Sequence, residues 1–227
     1  MKRFIAALLG GLAILLSPMI QSAQTWTQGS NYELLNPTQR TTVAAGKVEV
    51  MEVFSYGCIS CNNFQPVMAA LKRDLPSNAQ MTFLPASFIP QEDWQMLQRA
   101  YFTAQALGIA ERTHQAMFDA VWKTGELAIA DPTTRRLRNP APSIEDAAKC
   151  YHRLTGVSPE VFLSTARSFG VDVRMRAADA QVLAMHVSGT PCIVVNGKYR
   201  INMDTLHSQD DLIGLVRYLV DKESRHL

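Results

Sequence analysis

The chain is poor in several things at once, and each shortage removes a class of explanation. Only four cysteines occur in 227 residues. That is too few for the cross-linked scaffold of a small secreted domain, so those present point to chemistry. Cys150 and Cys192 are single and far apart, which leaves Cys58 and Cys61 without the second close pair that a structural zinc site uses. Asn62 rather than histidine follows Cys61, which removes c-type haem attachment. The five histidines are scattered singly and read as ordinary surface or packed residues. Neither sign of charge dominates: the formal net charge is +2, which gives no electrostatic case for nucleic acid. Long apolar runs are also missing. The uncharged stretch over residues 4–16 is shorter than the about twenty residues a membrane-spanning helix needs.

That stretch has another reading. Lys2 and Arg3 precede it, Ser17 and Pro18 follow it, and Ala23 offers a small residue, the pattern of a secretory leader over residues 1–23. A retained anchor is the alternative. Removing the leader takes two bases and no acid, leaving twenty of each sign. At 47% hydrophobic and 19% charged, the remainder has the composition of one globular unit, or of a domain with a large insertion. Residues 24–45 are polar, contain Asn36-Pro37, and read as an extended arm leading into it.

The stretch that organises the chain is VEVMEVFSYGCISCNNF, residues 48–64. Val48, Val50, Glu52 and Phe54 share one parity and Met51 and Val53 the other, so apolar residues on both faces predict a buried central strand. Downstream, Phe64, Val67, Met68, Leu71 and Leu75 recur at helical spacing, with Pro66 expected to bend the axis. Cys58 and Cys61 therefore sit on the first turn of that helix, close enough for a disulfide across a very short loop. At a helix N-terminus Cys58 meets unpaired N–H groups and the positive end of the dipole, both of which favour a thiolate. Strand, CxxC, helix is the order a redox site requires. A carboxylate on the Val48/Val50 face is costly if ionised and unpaired, so Glu52 either has a use, or snorkels to a strand end, or pairs with a lysine.

Residues 81–88, MTFLPASF, predict a second strand, and candidate helices follow near 91–107, 111–123, 143–155, 159–169 and 172–186. Gly108, Gly156 and Gly170 read as stops, Ser143 with Asp146 as a cap pair, and Ser158-Pro159 as a start. The loop over residues 124–142 carries Arg135, Arg136 and Arg138 among prolines; it reads as a solvated turn, with a binding patch as the alternative. In VSGTPCIVVNGKYRI, residues 187–201, Ile193 to Val195 form a strand, Asn196-Gly197 a hairpin turn, and Lys198 to Ile201 its return. Pro191 directly before a central strand is unusual, because proline cannot donate to the ladder. A last helix over residues 209–222 turns Leu212, Leu215, Val216 and Leu219 inward.

EVFSYGCISC, the apolar stretch LQRAYFTAQALGI and GTPCIVVNGKYRI together resemble the DsbA family of periplasmic thiol:disulfide oxidases, within the thioredoxin-like superfamily, over most of residues 46–220. The resemblance implies an α/β thioredoxin-like fold with an inserted helical domain. The divisions are then the leader at 1–23, the arm and first half of the thioredoxin-like domain at 24–88, the insertion at 89–175, and the second half at 176–227. It implies that Pro191 is cis and packs against the active-site sulfurs, leaving the Thr190 backbone free to pair with a bound peptide; an ordinary trans turn proline is the alternative. It likens Glu52 to the family's buried acid, which relays the proton of Cys61. The departure lies between the cysteines, where the archetype has Pro-His and this chain has Ile59-Ser60.

The activity implied is donation of a Cys58–Cys61 disulfide to reduced exported polypeptides in the periplasm, with reoxidation by a membrane partner resembling DsbB. No cofactor beyond the disulfide and no metal are expected, and a monomer is the default. A periplasmic reductase or isomerase, kept open by Ile59-Ser60, is the second reading, and a non-catalytic peptide-binding chaperone the third. Cys150 and Cys192 either bridge insertion to core or are two buried, inert thiols, the reading preferred here.

Overall fold

In the computed structural model, residues 25–131 and 133–225 are described, so the expected leader lies outside them. Among the described residues no helix is long and apolar enough to cross a membrane. The strand predicted before the cysteines is β2, after an edge strand β1 (Tyr32–Leu34); β2 runs Val48–Phe54 and is buried at every position, Glu49 and Glu52 included. Helix α1 (Ile59–Asp74) follows, with Pro66 inside it, then β3 (Ala79–Pro85). The helical layer comprises α2 (Trp94–Ala106), α3 (Ala110–Trp122), α4 (Ile144–Thr155), α5 (Pro159–Ala166) and α6 (Phe169–Ala184). Strands β4 (Cys192–Val195) and β5 (Tyr199–Ile201) and helix α7 (Gln209–Ser224) close the chain. The sheet order is β1-β5-β4-β2-β3, with β2 parallel to β3 and antiparallel to β4.

The two parities of β2 serve two cores. Val48 and Val50 pack with Met68 and Leu71 of α1 and with Leu215, Val216 and Leu219 of α7. Met51 and Val53 pack with residues of the helical layer. Each such side chain, fully buried, contributes about 1.5–3 kcal/mol. Phe54 breaks the alternation. It shares parity with Val50, yet as the last residue of the strand its ring turns to Tyr56, Phe83, Tyr101, His114 and Phe118.

Several local expectations are corrected. β3 occupies residues 79–85 rather than 81–88; it is an edge strand, where Pro85 leaves no ladder bond unmade. Gly170 does not stop a helix but lies within the first turn of α6. Ser168 caps that helix by accepting from the Val171 N–H at 3.4 Å, so α6 begins at Phe169 and not near 172. The division drawn after residue 175 falls inside this unbroken helix. The arm is more than a lead-in, since Tyr32, Glu33 and Leu34 pair with Ile201, Arg200 and Tyr199. Other signals hold: Ser143 and Asp146 form a capping box, Ser158 caps α5 ahead of Pro159, and Gly156 ends α4 at φ 77°.

The Asn196-Gly197 turn has φ of 52° and 59°, as a tight hairpin demands. The arm crosses it closely: Gln39 N–H donates to the Gly197 carbonyl at 2.8 Å, and a Cβ on Gly197 would lie 2.3 Å from the Gln39 carbonyl oxygen. Gly197→Ala is therefore expected to cost about 2 kcal/mol of stability, from both the left-handed backbone and the clash, read as a lowered urea midpoint. An unchanged midpoint would contradict the described contact.

Candidate functional site

The turn between β2 and α1 is held from below and from the side. Ser55 anchors it twice: its hydroxyl accepts from the Gly57 N–H at 3.1 Å and its carbonyl from the Cys58 N–H at 3.1 Å. From the helical layer, the Trp122 indole donates to the Tyr56 carbonyl at 2.8 Å. A Cβ on Gly57 would meet Trp94 Nε1 at 2.6 Å and Ile129 Cδ1 at 2.9 Å, so only glycine lets these two side chains rest against the turn. The insertion thus sets the position of the cysteines, a contact that no motif in the sequence announces.

Cys58 is the N-cap of α1 and its sulfur accepts from the Cys61 N–H at 3.3 Å. Both cysteines are thiols, Cys58 8% exposed and Cys61 fully buried. The hydrogen bond from the Cys61 thiol does most to lower the Cys58 pKa. Burial opposes it, and Thr190 with the backbone amides of Cys61 and Ser60 reinforces the lowering, which reaches about 6. Cys61 moves the opposite way: burial first, then its hydrogen bond to Cys58 and the charge there, push it far above the ordinary thiol range. One sulfur is a ready thiolate and the other a shielded thiol. Ile59 and Ser60 between them are exposed, and Ser60 acts on the thiolate through its backbone amide.

The Thr190–Pro191 bond is cis. Pairing of Val53 with Cys192 brings this turn beside the end of β2, where the Cys58 thiol donates to the Thr190 carbonyl at 3.4 Å. The Thr190 hydroxyl is buried without a hydrogen-bond partner. A carbonyl that accepts from a thiol favours the protonated form, so this bond opposes the lowering that the Thr190 side chain gives and ties Cys58 in place when it is not a thiolate.

Glu52 lies beneath the turn, fully buried, with neither carboxylate oxygen hydrogen-bonded. Its ladder neighbours are Phe83 and Ile193, so the lysine partner considered from sequence is not supplied by either strand, and the side chain does not snorkel. Burial, then the negative charge of Cys58, raises its pKa to about 8. Sequence reasoning passed over His114, which is no surface histidine. It sits among Phe54, Phe83 and Phe118, with Nδ1 3.1 Å from the Tyr56 hydroxyl, and burial lowers its pKa to about 3, keeping the ring neutral. Cys150 and Cys192 are free and buried, the first beside Glu126 and Arg153, the second near Arg200. Burial raises each to about 11, the behaviour of inert thiols. Among the described residues no three of His, Cys, Asp or Glu are grouped to hold a metal ion.

Comparison with known proteins agrees with this geometry. The family model "DSBA-like thioredoxin domain" matches residues 39–214. The thiol:disulfide interchange protein DsbA of Pseudomonas aeruginosa is 31% identical over 206 residues, covering 90% of this chain and 89% of that protein. Its counterpart in Azotobacter vinelandii is 30% identical, covering 82% and 80%. The crystal structure of the oxidoreductase DsbA from Xylella fastidiosa superposes with a TM-score of 0.74 at 32% identity, over 88% of this chain and 97% of that one. With a thioredoxin-like sheet, a polarised cysteine pair just past the end of its interior strand β2 and these relatives, the chain belongs to the DSBA-like thioredoxin family and is a thiol:disulfide oxidoreductase.

Proposed function

We propose that the chain is an exported, periplasmic disulfide donor: oxidised Cys58–Cys61 passes its bond to reduced exported polypeptides and is restored by a membrane partner of DsbB type. The observation that carries this reading is the unequal pair, a stabilised Cys58 thiolate backed by a buried Cys61 thiol. A client thiolate attacks Cys58 Sγ, the Cys58–Cys61 bond breaks, and Cys61 leaves as a thiolate that takes up a proton. A second client thiolate then attacks the client sulfur of the mixed disulfide, forming the client's own disulfide and releasing Cys58 as a thiolate. The better that thiolate is held, the more strongly the reaction runs toward oxidation of the client. No cofactor other than the disulfide is needed, since the two electrons end on the two cysteines, and a monomer suffices.

Glu52, with a pKa near 8, holds a proton at neutral pH and serves as donor to the departing Cys61 and as acceptor when Cys61 must become a nucleophile. Thr190 and Pro191 form the wall at which an extended client pairs through its backbone, so affinity comes with little sequence preference. Ile59 and Ser60 favour the second reading, a reductase or isomerase, because they place no imidazole beside the thiolate. The reduction potential decides between them. Oxidation is expected with a value above roughly −180 mV, whereas one near about −270 mV, as in thioredoxin, would make the chain a reductase. Loss of all exchange in Cys58→Ser separates both from a chaperone.

Alkylation of the reduced protein should accelerate with a midpoint near pH 6 and modify Cys58 alone, with Cys61 protected unless the chain is unfolded. Peptide mapping that found Cys61 modified first would reverse the assignment.

A raised pKa means that the folded state holds its proton more tightly than the unfolded chain. Glu52 thus adds nothing unfavourable below the usual carboxylate range and costs progressively more as pH climbs toward 8. Glu52→Gln removes that cost. The variant should gain stability over the parent by on the order of 3 kcal/mol between pH 5 and pH 8, while steps that need Cys61 deprotonated slow. A pH-independent stability difference in denaturant titrations would contradict the buried, unpaired carboxylate.

A further inference from the structure

The arginine-bearing loop between α3 and α4 is not an open coil. Its arms meet at an Ala130–Leu137 bridge; the Arg138 N–H donates to the Ile129 carbonyl and the Asp131 N–H to the Arg136 carbonyl, each at 2.8 Å. At its base, buried Ile129 is the side chain that rests against Gly57, the residue before Cys58. Arg138 lies across the ladder from Ile129, at a cross-strand spacing of about 5 Å. The hairpin therefore rises from the edge of the active-site turn and carries Arg135, Arg136, Leu137 and Arg138, all exposed.

Its charge is poorly matched within the chain. Asp131 lies in the hairpin and its field reaches Arg138, but its carboxylate accepts from the Thr133 and Thr134 N–H groups at 3.0 and 2.7 Å. Glu126 pairs with Arg153, Asp119 with Lys123, and the Glu92 carboxylate accepts from the Trp94 indole beside Gly57. Among the described residues no carboxylate forms an ion pair with Arg135, Arg136 or Arg138. The hairpin thus holds a net excess of positive charge at the side of the active-site turn, and such a field acts over a Debye length of about 8 Å in physiological salt.

We propose that this hairpin is a docking element for acidic polypeptide segments close to the reacting cysteine, so that clients with aspartate or glutamate a few residues from their thiol react fastest. The inference rests on the oxidoreductase reading, because the mixed disulfide is what fixes the client beside the hairpin. An extended chain advances about 3.3 Å per residue, so side chains three to five positions from the bound sulfur pass over the arginines, and Leu137 offers an apolar contact between them. The charges steer encounter more than they hold the product, so the effect falls on the rate of mixed-disulfide formation.

The test uses the oxidised protein and three peptides of one cysteine each, alike except for a pair of Glu, Gln or Lys residues four positions away. Mixed-disulfide formation is expected to be about three- to tenfold faster for the Glu than for the Lys peptide in low salt, with the gap closing near about 0.3 M salt. The triple variant Arg135→Asn, Arg136→Gln, Arg138→Gln should bring the ratio toward one; asparagine is chosen because residue 135 has a φ of 60°. Arg136→Glu with Arg138→Glu should invert the preference, with thermal melts establishing that both variants fold. Equal rates for the three peptides in the parent, or discrimination that survives the triple variant, would overturn the inference and leave the oxidoreductase reading intact. No reaction with any peptide would overturn that reading first and the inference with it. Arginine-dependent sedimentation with phosphatidylglycerol vesicles, combined with no peptide discrimination, would assign the hairpin to a membrane surface instead and overturn the proposal.

Discussion

The helix that follows the central strand is capped by a sulfur, and most of the site depends on that substitution of a thiolate for the usual oxygen. An N-cap satisfies N–H groups that have no partner within the helix. Here the group that satisfies the Cys61 N–H is also the thiol whose pKa is lowered to about 6. Ionising Cys58 improves the cap, so the fold and the thiolate stabilise each other. Forming the disulfide removes that anion, which is why opening the disulfide is favourable. Everything that steadies the turn, from the Ser55 hydroxyl to Trp94 and Trp122, steadies the geometry of this one hydrogen bond.

A good cap alone would give two reactive thiols if both were equally wet. Burial separates them. Cys61 faces the core, where its charged form is expensive, and its proton is shared with Cys58. The same physics shields Cys150 and Cys192, yet without a helix terminus or a thiol partner they remain inert. Capping and pairing must coincide, and in this chain they coincide at one residue.

How much of this can be read in advance follows from the range of each interaction. The β2 run, the CxxC on the first turn of α1, the capping box at Ser143 and the Asn196-Gly197 hairpin are encoded within a few residues, and the sequence announces them. The contacts that seat the turn are not local. Trp94 and Ile129 meet Gly57 from about forty and seventy residues away, and neither sits in a recognisable pattern. His114 falls under the packed reading of the scattered histidines, but a lone histidine on an amphipathic helix gives no hint that it will face Tyr56 and Phe83. The start of α6 was missed although its signal is local: Ser168 caps the helix through the Val171 N–H, and Gly170 lies inside the first turn rather than at a stop.

The two glutamates of β2 show how a fold can bury two acids of one strand on different terms. Glu49 and Glu52 are equally buried on adjacent stretches of one strand, on opposite parities. Glu49 is met by the arm: one of its oxygens accepts from the Thr42 N–H at 3.0 Å and from the Thr42 hydroxyl at 2.6 Å. A few polar residues ahead of β2 thereby convert a costly burial into a tie between arm and sheet. Glu52 receives nothing comparable, because the facing residues, Phe83 and Ile193, have no hydrogen to give. Sequence burial alone would rank the two alike. The difference is the supply of donors, and a carboxyl left without donors and facing the charge of Cys58 keeps its proton at neutral pH.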